Sequence, residues 1–207
     1  RSSLNYLLGM SFLKTLLPNF APASVLEIGG GFGTLGEILH QISGHQIKYI
    51  DIDLPPIFLI AYEYLKYACN IKANNFFLSN LNEEEELINV SDLPLFSFFP
   101  SWEIEKIRGK IDLFVNFISF QEMEPSIVKN YLNIVSNLQA QVILLRNLRE
   151  GKQKATKDTV GVISPVVQEH YSKFLPAYDL IGSNISPFGY TTVDGFNSEL
   201  LVFKRKA

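Results

Sequence analysis

The stretch Val25-Leu26-Glu27-Ile28-Gly29-Gly30-Gly31-Phe32-Gly33, with Tyr49-Ile50-Asp51-Ile52-Asp53 further on, decides the fold of this chain. Its short apolar run reads as a buried strand, and the glycines after it as a turn where backbone approaches something closely. A helical pattern opens at Thr34 and lasts to Ile42, and a second apolar strand over 47–52 ends in acid. Strand, glycine turn, helix, strand and terminal carboxylate are the parts of a βαβ unit that holds an adenosine-type cofactor.

Outward from this unit the pattern stays regular. Leu4, Leu7, Leu8, Phe12, Leu16 and Leu17 fall near helical spacing, and Pro18 ends that segment. Pro55-Pro56 opens a helix reaching residue 70, since proline suits a first turn. Residues 76–78 and 95–99 are both strand candidates, the second the better third strand. The run Glu83-Glu84-Glu85-Glu86 between them reads as a solvated face. Strands follow at 111–116 and 141–146 around a helix at 126–138. Residues 147–158 then turn polar and basic (Arg149, Lys152, Lys154, Lys157) and read as a mobile loop. A helix at 166–175 precedes strands at 178–185 and 199–203, joined through Pro187, Gly189 and Gly195. Two final strands without a helix between them imply an antiparallel hairpin at the edge of a mostly parallel α/β sheet.

The 207 residues suit a single domain, with a helical segment at 1–20 and an α/β core at 21–207. The chain opens on Arg1 rather than methionine, as a processed or truncated piece would. A hydrophobic content of 47% with 19% charged residues is globular rather than disordered. The net charge of −3 gives no electrostatic footprint for nucleic acid or anionic lipid. The lone Cys69 excludes a disulfide framework and a cysteine zinc cluster, and reads as a packed thiol on a helix. No apolar run approaches the roughly 20 residues of a membrane span, so the cytoplasm is the default location. Oligomeric state is open, because the apolar segment 4–17 can pack on its own sheet or on a partner subunit.

Two glycine registers compete for the cofactor. Gly31-Phe32-Gly33-Thr34-Leu35-Gly36 matches the dinucleotide pattern formally, which keeps an NAD(P)-dependent oxidoreductase as the alternative. A dinucleotide turn starts directly after its strand, however, and a start at Gly29 puts Thr34 where glycine or alanine is required. Glu27 also opposes two bound phosphates, whereas a cationic ligand tolerates it. S-adenosylmethionine, with a sulfonium and an ammonium, satisfies that charge logic. Asp53, about 20 residues past Gly33, has the spacing of the acid that binds ribose hydroxyls. Asp51 shares its face and is the second candidate.

The segment Glu27-Ile28-Gly29-Gly30-Gly31-Phe32-Gly33 resembles the first motif of class I S-adenosylmethionine-dependent methyltransferases. Tyr49-Ile50-Asp51-Ile52-Asp53-Leu54-Pro55-Pro56, Asp112-Leu113-Phe114-Val115-Asn116 and Ser119-Phe120-Gln121-Glu122-Met123 are similar to sugar O-methyltransferases of bacterial surface-polysaccharide pathways. The resemblance implies a Rossmann-like, seven-stranded, mostly parallel sheet with helices on both faces. It implies that Gly29, Gly30, Gly31 and Gly33 wrap the methionine part and that Glu27 orders that loop. Asp53 or Asp51 would hold the ribose, and Ser101 and Trp102 would sit by the adenine, with Asn116 also near the cofactor. The implied activity is O-methylation of a small hydroxylated acceptor, a sugar or nucleotide-linked sugar. A catalytically degenerate binding module of the same fold is a further alternative.

Methyl transfer to a hydroxyl needs alignment and a group to take the proton. The loop 116–122 belongs beside the cofactor crevice, which makes Glu122 the first candidate, with Gln121 and Asn116 as hydrogen-bonding partners. His170 is the second candidate base, while His40 and His45 read as surface residues away from the site. Arg146 and Asn147 are candidates for binding the sugar. Asp112, at a strand entrance, reads as structural, and no spacing points to a metal.

Overall fold

The computed structural model describes residues 2–44, 46–70, 72, 74, 76–79, 87–185 and 197–206. In chain order the elements are α1 (Ser2–Leu16), β1 (Ser24–Ile28), α2 (Thr34–Ile42), β2 (Lys48–Asp53), α3 (Pro55–Cys69), β3 (Phe76–Leu78), β4 (Ile88–Asn89), β5 (Phe96–Pro100), β6 (Ile107–Arg108), β7 (Leu113–Phe117), α4 (Pro125–Asn137), β8 (Val142–Leu148), α5 (Gln168–Phe174), β9 (Tyr178–Ile185) and β10 (Ser198–Arg205). Eight strands form the main sheet in the order β3-β5-β2-β1-β7-β8-β10-β9, with β4 and β6 paired separately. Pairing is parallel from β3 to β8, and β10 runs antiparallel to both β8 and β9. The sheet therefore has eight strands where seven were expected. Both candidates for the third strand are real, and β3 adds an edge beside β5 through the stack of Phe76 on Phe96. The Glu83–Glu86 run, His45 and the turn through Pro187, Gly189 and Gly195 lie outside the described residues.

Side chains alternate across the strands, so each central strand feeds two cores. On one face Val25, Tyr49, Val115 and Leu144 pack with Tyr6 and Leu13 of α1, Leu35 and Leu39 of α2, and Phe58 and Leu65 of α3. On the other, Leu26, Ile50, Phe114 and Ile143 pack with Leu132 of α4 and Tyr171 of α5. α1 thus packs on the chain's own sheet. Its inward side is Tyr6, Gly9 and Leu13, while Leu4 and Leu7 are about half exposed, at 51% and 48%. The absence of a side chain on Gly9 lets the Phe117 ring lie directly against the helix. His40 corrects its surface reading: it is buried on the inward side of α2, its ring 5.7 Å from that of Phe96.

Strand β8 extends two residues past its expected end, to Leu148, because β10 pairs with it along that length. The entrances of the central strands are tied by one carboxylate. Asp112 accepts the amides of Ala23 and Ser24 at 2.8 and 3.0 Å and the Gln141 side-chain amide at 2.7 Å. Replacing it, Asp112→Ala, removes charge-assisted bonds on β1, β7 and β8 together. A loss of about 2 kcal/mol is expected, read as a lower urea midpoint at unchanged slope. An unchanged midpoint would show that water replaces these bonds at no cost.

Candidate active site

The βαβ unit builds the site floor. Gly29, Gly31 and Gly33 all take positive φ, at 79°, 60° and 75°, as the chain turns from β1 into α2. A side chain at Gly29 would collide with Ser119, which seals that side of the turn. A Cβ at Gly31 would meet nothing within 4 Å, so this part of the loop faces open space that a ligand can occupy.

Beneath the loop lie three acids. Glu27 is fully buried, and its two oxygens accept hydrogen bonds from Tyr6 Oη at 2.7 Å and Tyr49 Oη at 2.6 Å. Burial pushes its carboxyl up to about 7, against the pull of the two tyrosine hydroxyls. Asp51 stands beside it in register on β2. Neither of its oxygens finds a hydrogen-bond partner of regular geometry among the described residues. Burial, then Glu27, then Asp53 raise it well above the carboxylate range, and the nearby Gly30 amide offsets only part of that. Asp53, at the end of β2, is partly open; it accepts the Leu54 amide at 2.7 Å and the Gly31 amide at 3.1 Å. Burial raises its pKa too, opposed by those two amides.

The loop after β7 forms the facing wall. Asn116 is buried and donates to the Ile28 carbonyl at 2.9 Å, while its own carbonyl accepts the Phe120 amide at 3.2 Å and the Asn147 side chain at 3.1 Å. Ile118 has φ of 61°, an outlier for a β-branched residue, held by its amide donating to the Arg146 carbonyl at 2.7 Å. Gln121 accepts the Leu148 amide at 2.9 Å, which fixes the turn carrying Glu122. Glu122 is paired with Lys152 from the basic loop.

A cavity of about 680 Å³ opens between these walls. Gly29, Gly30 and Gly31 line one side, Ile118, Gln121, Glu122 and Arg146 the other, and Asn5 and Tyr6 of α1 close the end. Six expected site residues thus come together on this cavity: Gly29, Gly30, Gly31, Gln121, Glu122 and Arg146. Glu27 and Asp51 lie under its floor, Asn116 and Asn147 act as internal supports, and Gly33 caps α2. Ser101 and Trp102 line a separate 360 Å³ cavity with Ser126 and Tyr131. His170 is away from both, accepting the Val167 amide on Nδ1 at 3.2 Å and stacking on Phe174. Tyr6 and Ile118 escaped the sequence reading. The buried side of α1 uses a tyrosine and a glycine where aliphatic spacing points to Leu4 and Leu7, and a left-handed isoleucine has no sequence signal. Among the described residues, no His, Cys, Asp and Glu group is arranged to hold a metal, and no helix is long and apolar enough to cross a membrane.

Neither a protein-family model nor a curated protein sequence matches the chain. Its fold matches solved structures of S-adenosylmethionine-dependent methyltransferases. One is an enzyme of that class from Clostridium acetobutylicum, with TM-score 0.64 and 12% identity over 98% of this chain and 92% of the other. Another is the magnesium protoporphyrin IX methyltransferase of Synechocystis PCC 6803 with S-adenosylmethionine bound, at TM-score 0.60, 12% identity, and 98% and 80% coverage. The mitomycin 7-O-methyltransferase gives TM-score 0.63 and 13% identity, over 99% of this chain and 54% of the other. The architecture is therefore the Rossmann-like methyltransferase fold.

The buried acid makes stability depend on pH in a set direction. Between about 4.5 and about 7 the folded chain keeps on Glu27 a proton that the unfolded chain has lost. Stability therefore falls as pH rises through that window, by up to about 3 kcal/mol from this group. Urea denaturation at pH 5 and pH 7.5 should show a smaller fall in Glu27→Gln. An equal fall in both proteins would remove Glu27 as its source.

Proposed function

We propose that this chain is an S-adenosylmethionine-dependent O-methyltransferase acting on a small hydroxylated acceptor, a sugar or nucleotide-linked sugar. The observation that carries the reading is the open face of Gly31 above Glu27 and Asp53, continuous with the cavity that reaches Glu122. A sulfonium and an ammonium would favour ionisation of the acids under that turn, whereas two phosphates would oppose it. Gly29, Gly30 and Gly31 would hold the amino-acid part. Asp53 keeps acceptor capacity beyond its two amide bonds and would take the ribose hydroxyls. Ser101 and Trp102, the sequence candidates for the adenine, line a separate cavity and are given no role in this reading.

When bound, S-adenosylmethionine supplies an electrophilic methyl group. The chain's own contribution is to orient the acceptor oxygen and take its proton. Glu122 is assigned that role ahead of His170, because it lines the cavity and His170 does not. Lys152 holds the Glu122 carboxylate in place, and Gln121 donates to it at 3.4 Å, at the long end of a hydrogen bond. Arg146, on the same wall, is the candidate contact for polar groups of the acceptor.

Incubation with methyl-labelled S-adenosylmethionine and a panel of free, phosphorylated and nucleotide-linked sugars should yield a labelled methyl ether. Glu122→Gln should lower kcat by about 10²-fold or more while the KM for the methyl donor stays within about twofold. An unchanged kcat would remove Glu122 as the base. Asp53→Ala should raise the donor's KM by about tenfold or more, and an unaltered KM would take Asp53 out of the ribose role.

A further inference from the structure

Glu27 is fully buried and cannot itself touch a ligand in the cavity. Any coupling between it and a ligand runs through one of its two tyrosine partners. Both Tyr6 and Tyr49 donate to it, but of the two only Tyr6 lines the cavity. Tyr6 is held firmly: its ring stacks on Phe117 with centroids 4.8 Å apart and planes 12° from parallel, and Asn5 beside it also lines the cavity. A phenolic hydroxyl that donates its proton to a carboxylate keeps lone pairs free to accept. A sulfonium has no N–H or O–H to offer them, whereas an ammonium has three donors and needs acceptors.

We propose that Tyr6 is a cofactor-binding residue: its hydroxyl donates to Glu27 while its oxygen accepts the ammonium at the amino-acid end of the methyl donor, coupling that ammonium to the ionised form of Glu27. The assignment rests on the S-adenosylmethionine reading of the site. It makes α1 part of the binding site, with the buried acid acting on the ligand at one remove. A bound ammonium at one remove favours the ionised form of Glu27, against the burial that raises its carboxyl pKa.

The test compares two ligands that differ in the amino-acid end. S-adenosylhomocysteine carries the ammonium, and 5′-methylthioadenosine lacks that whole end. Calorimetric titration of Tyr6→Phe, which keeps the ring stack and removes the hydroxyl, should show S-adenosylhomocysteine binding about tenfold weaker or more. The affinity for 5′-methylthioadenosine should stay within about twofold of wild type. Glu27→Gln, which keeps the shape and removes the charge, should reproduce the selective loss and serves if Tyr6→Phe does not fold. No loss, or an equal loss for both ligands, would overturn the assignment and leave the cofactor reading standing. Failure of the wild-type protein to bind S-adenosylhomocysteine would instead remove the cofactor reading itself, and this assignment with it.

Discussion

Two acids, Glu27 and Asp51, stand side by side on adjacent strands in the core of the sheet. Burying an acid is costly unless hydrogen bonds replace its water, and the structure around the glycine turn answers to that requirement. Tyr6 comes from α1 and Tyr49 from β2 to satisfy Glu27. Their hydroxyls are themselves pushed well above the usual tyrosine range, mainly by burial and further by the neighbouring carboxylates. A core position that strand alternation would give to an aliphatic residue is thus held by a polar cluster that fixes α1, β1 and β2 relative to one another. The same cluster sets two buried acids beneath the turn above it.

The parallel strands place this cluster at the carboxyl ends of β1 and β2, where ligands bind in open α/β sheets. Across the crevice, Asn116 and Asn147 lock the ends of β7 and β8 together, and the strained Ile118 is held at the rim by its bond to the Arg146 carbonyl. Rigid internal bonds on both sides leave Gly31, Tyr6, Gln121 and Glu122 facing one space. Such support is what a site needs when alignment of two reactants supplies much of the rate. The Glu122 carboxylate on the far wall faces the same space as the glycine turn.

Much of this was legible along the chain, for physical reasons. The β1–α2–β2 unit announces itself because apolar runs, a glycine turn and a terminal acid each leave a local pattern, and the observed bounds fall within a residue or so of the expected ones. The antiparallel pairing of β9 and β10 was readable from two apolar runs with no helical pattern in the sequence between them. The face of α1 was not, because aliphatic spacing points to Leu4 and Leu7, while the buried face uses a tyrosine and a glycine. Tyr6 was passed over for that reason, though it closes the cavity. His40 misled in the same way, since a polar residue on a short helix reads as surface until Phe96 is known to lie beneath it. The division of labour between Asp51 and Asp53 needed the depth of each residue. Alternation places them on one face, but only the fold shows that Asp51 is fully enclosed and Asp53 is partly open.

The central claim is that the glycine turn holds an adenosyl amino acid rather than a dinucleotide. The most direct measurement is calorimetric titration of the wild-type protein with S-adenosylhomocysteine, with NADH and NADPH titrated in parallel under the same conditions. The account predicts one-to-one binding of S-adenosylhomocysteine and no heat of binding from either nicotinamide cofactor. Saturable binding of NADH or NADPH without binding of S-adenosylhomocysteine would contradict it.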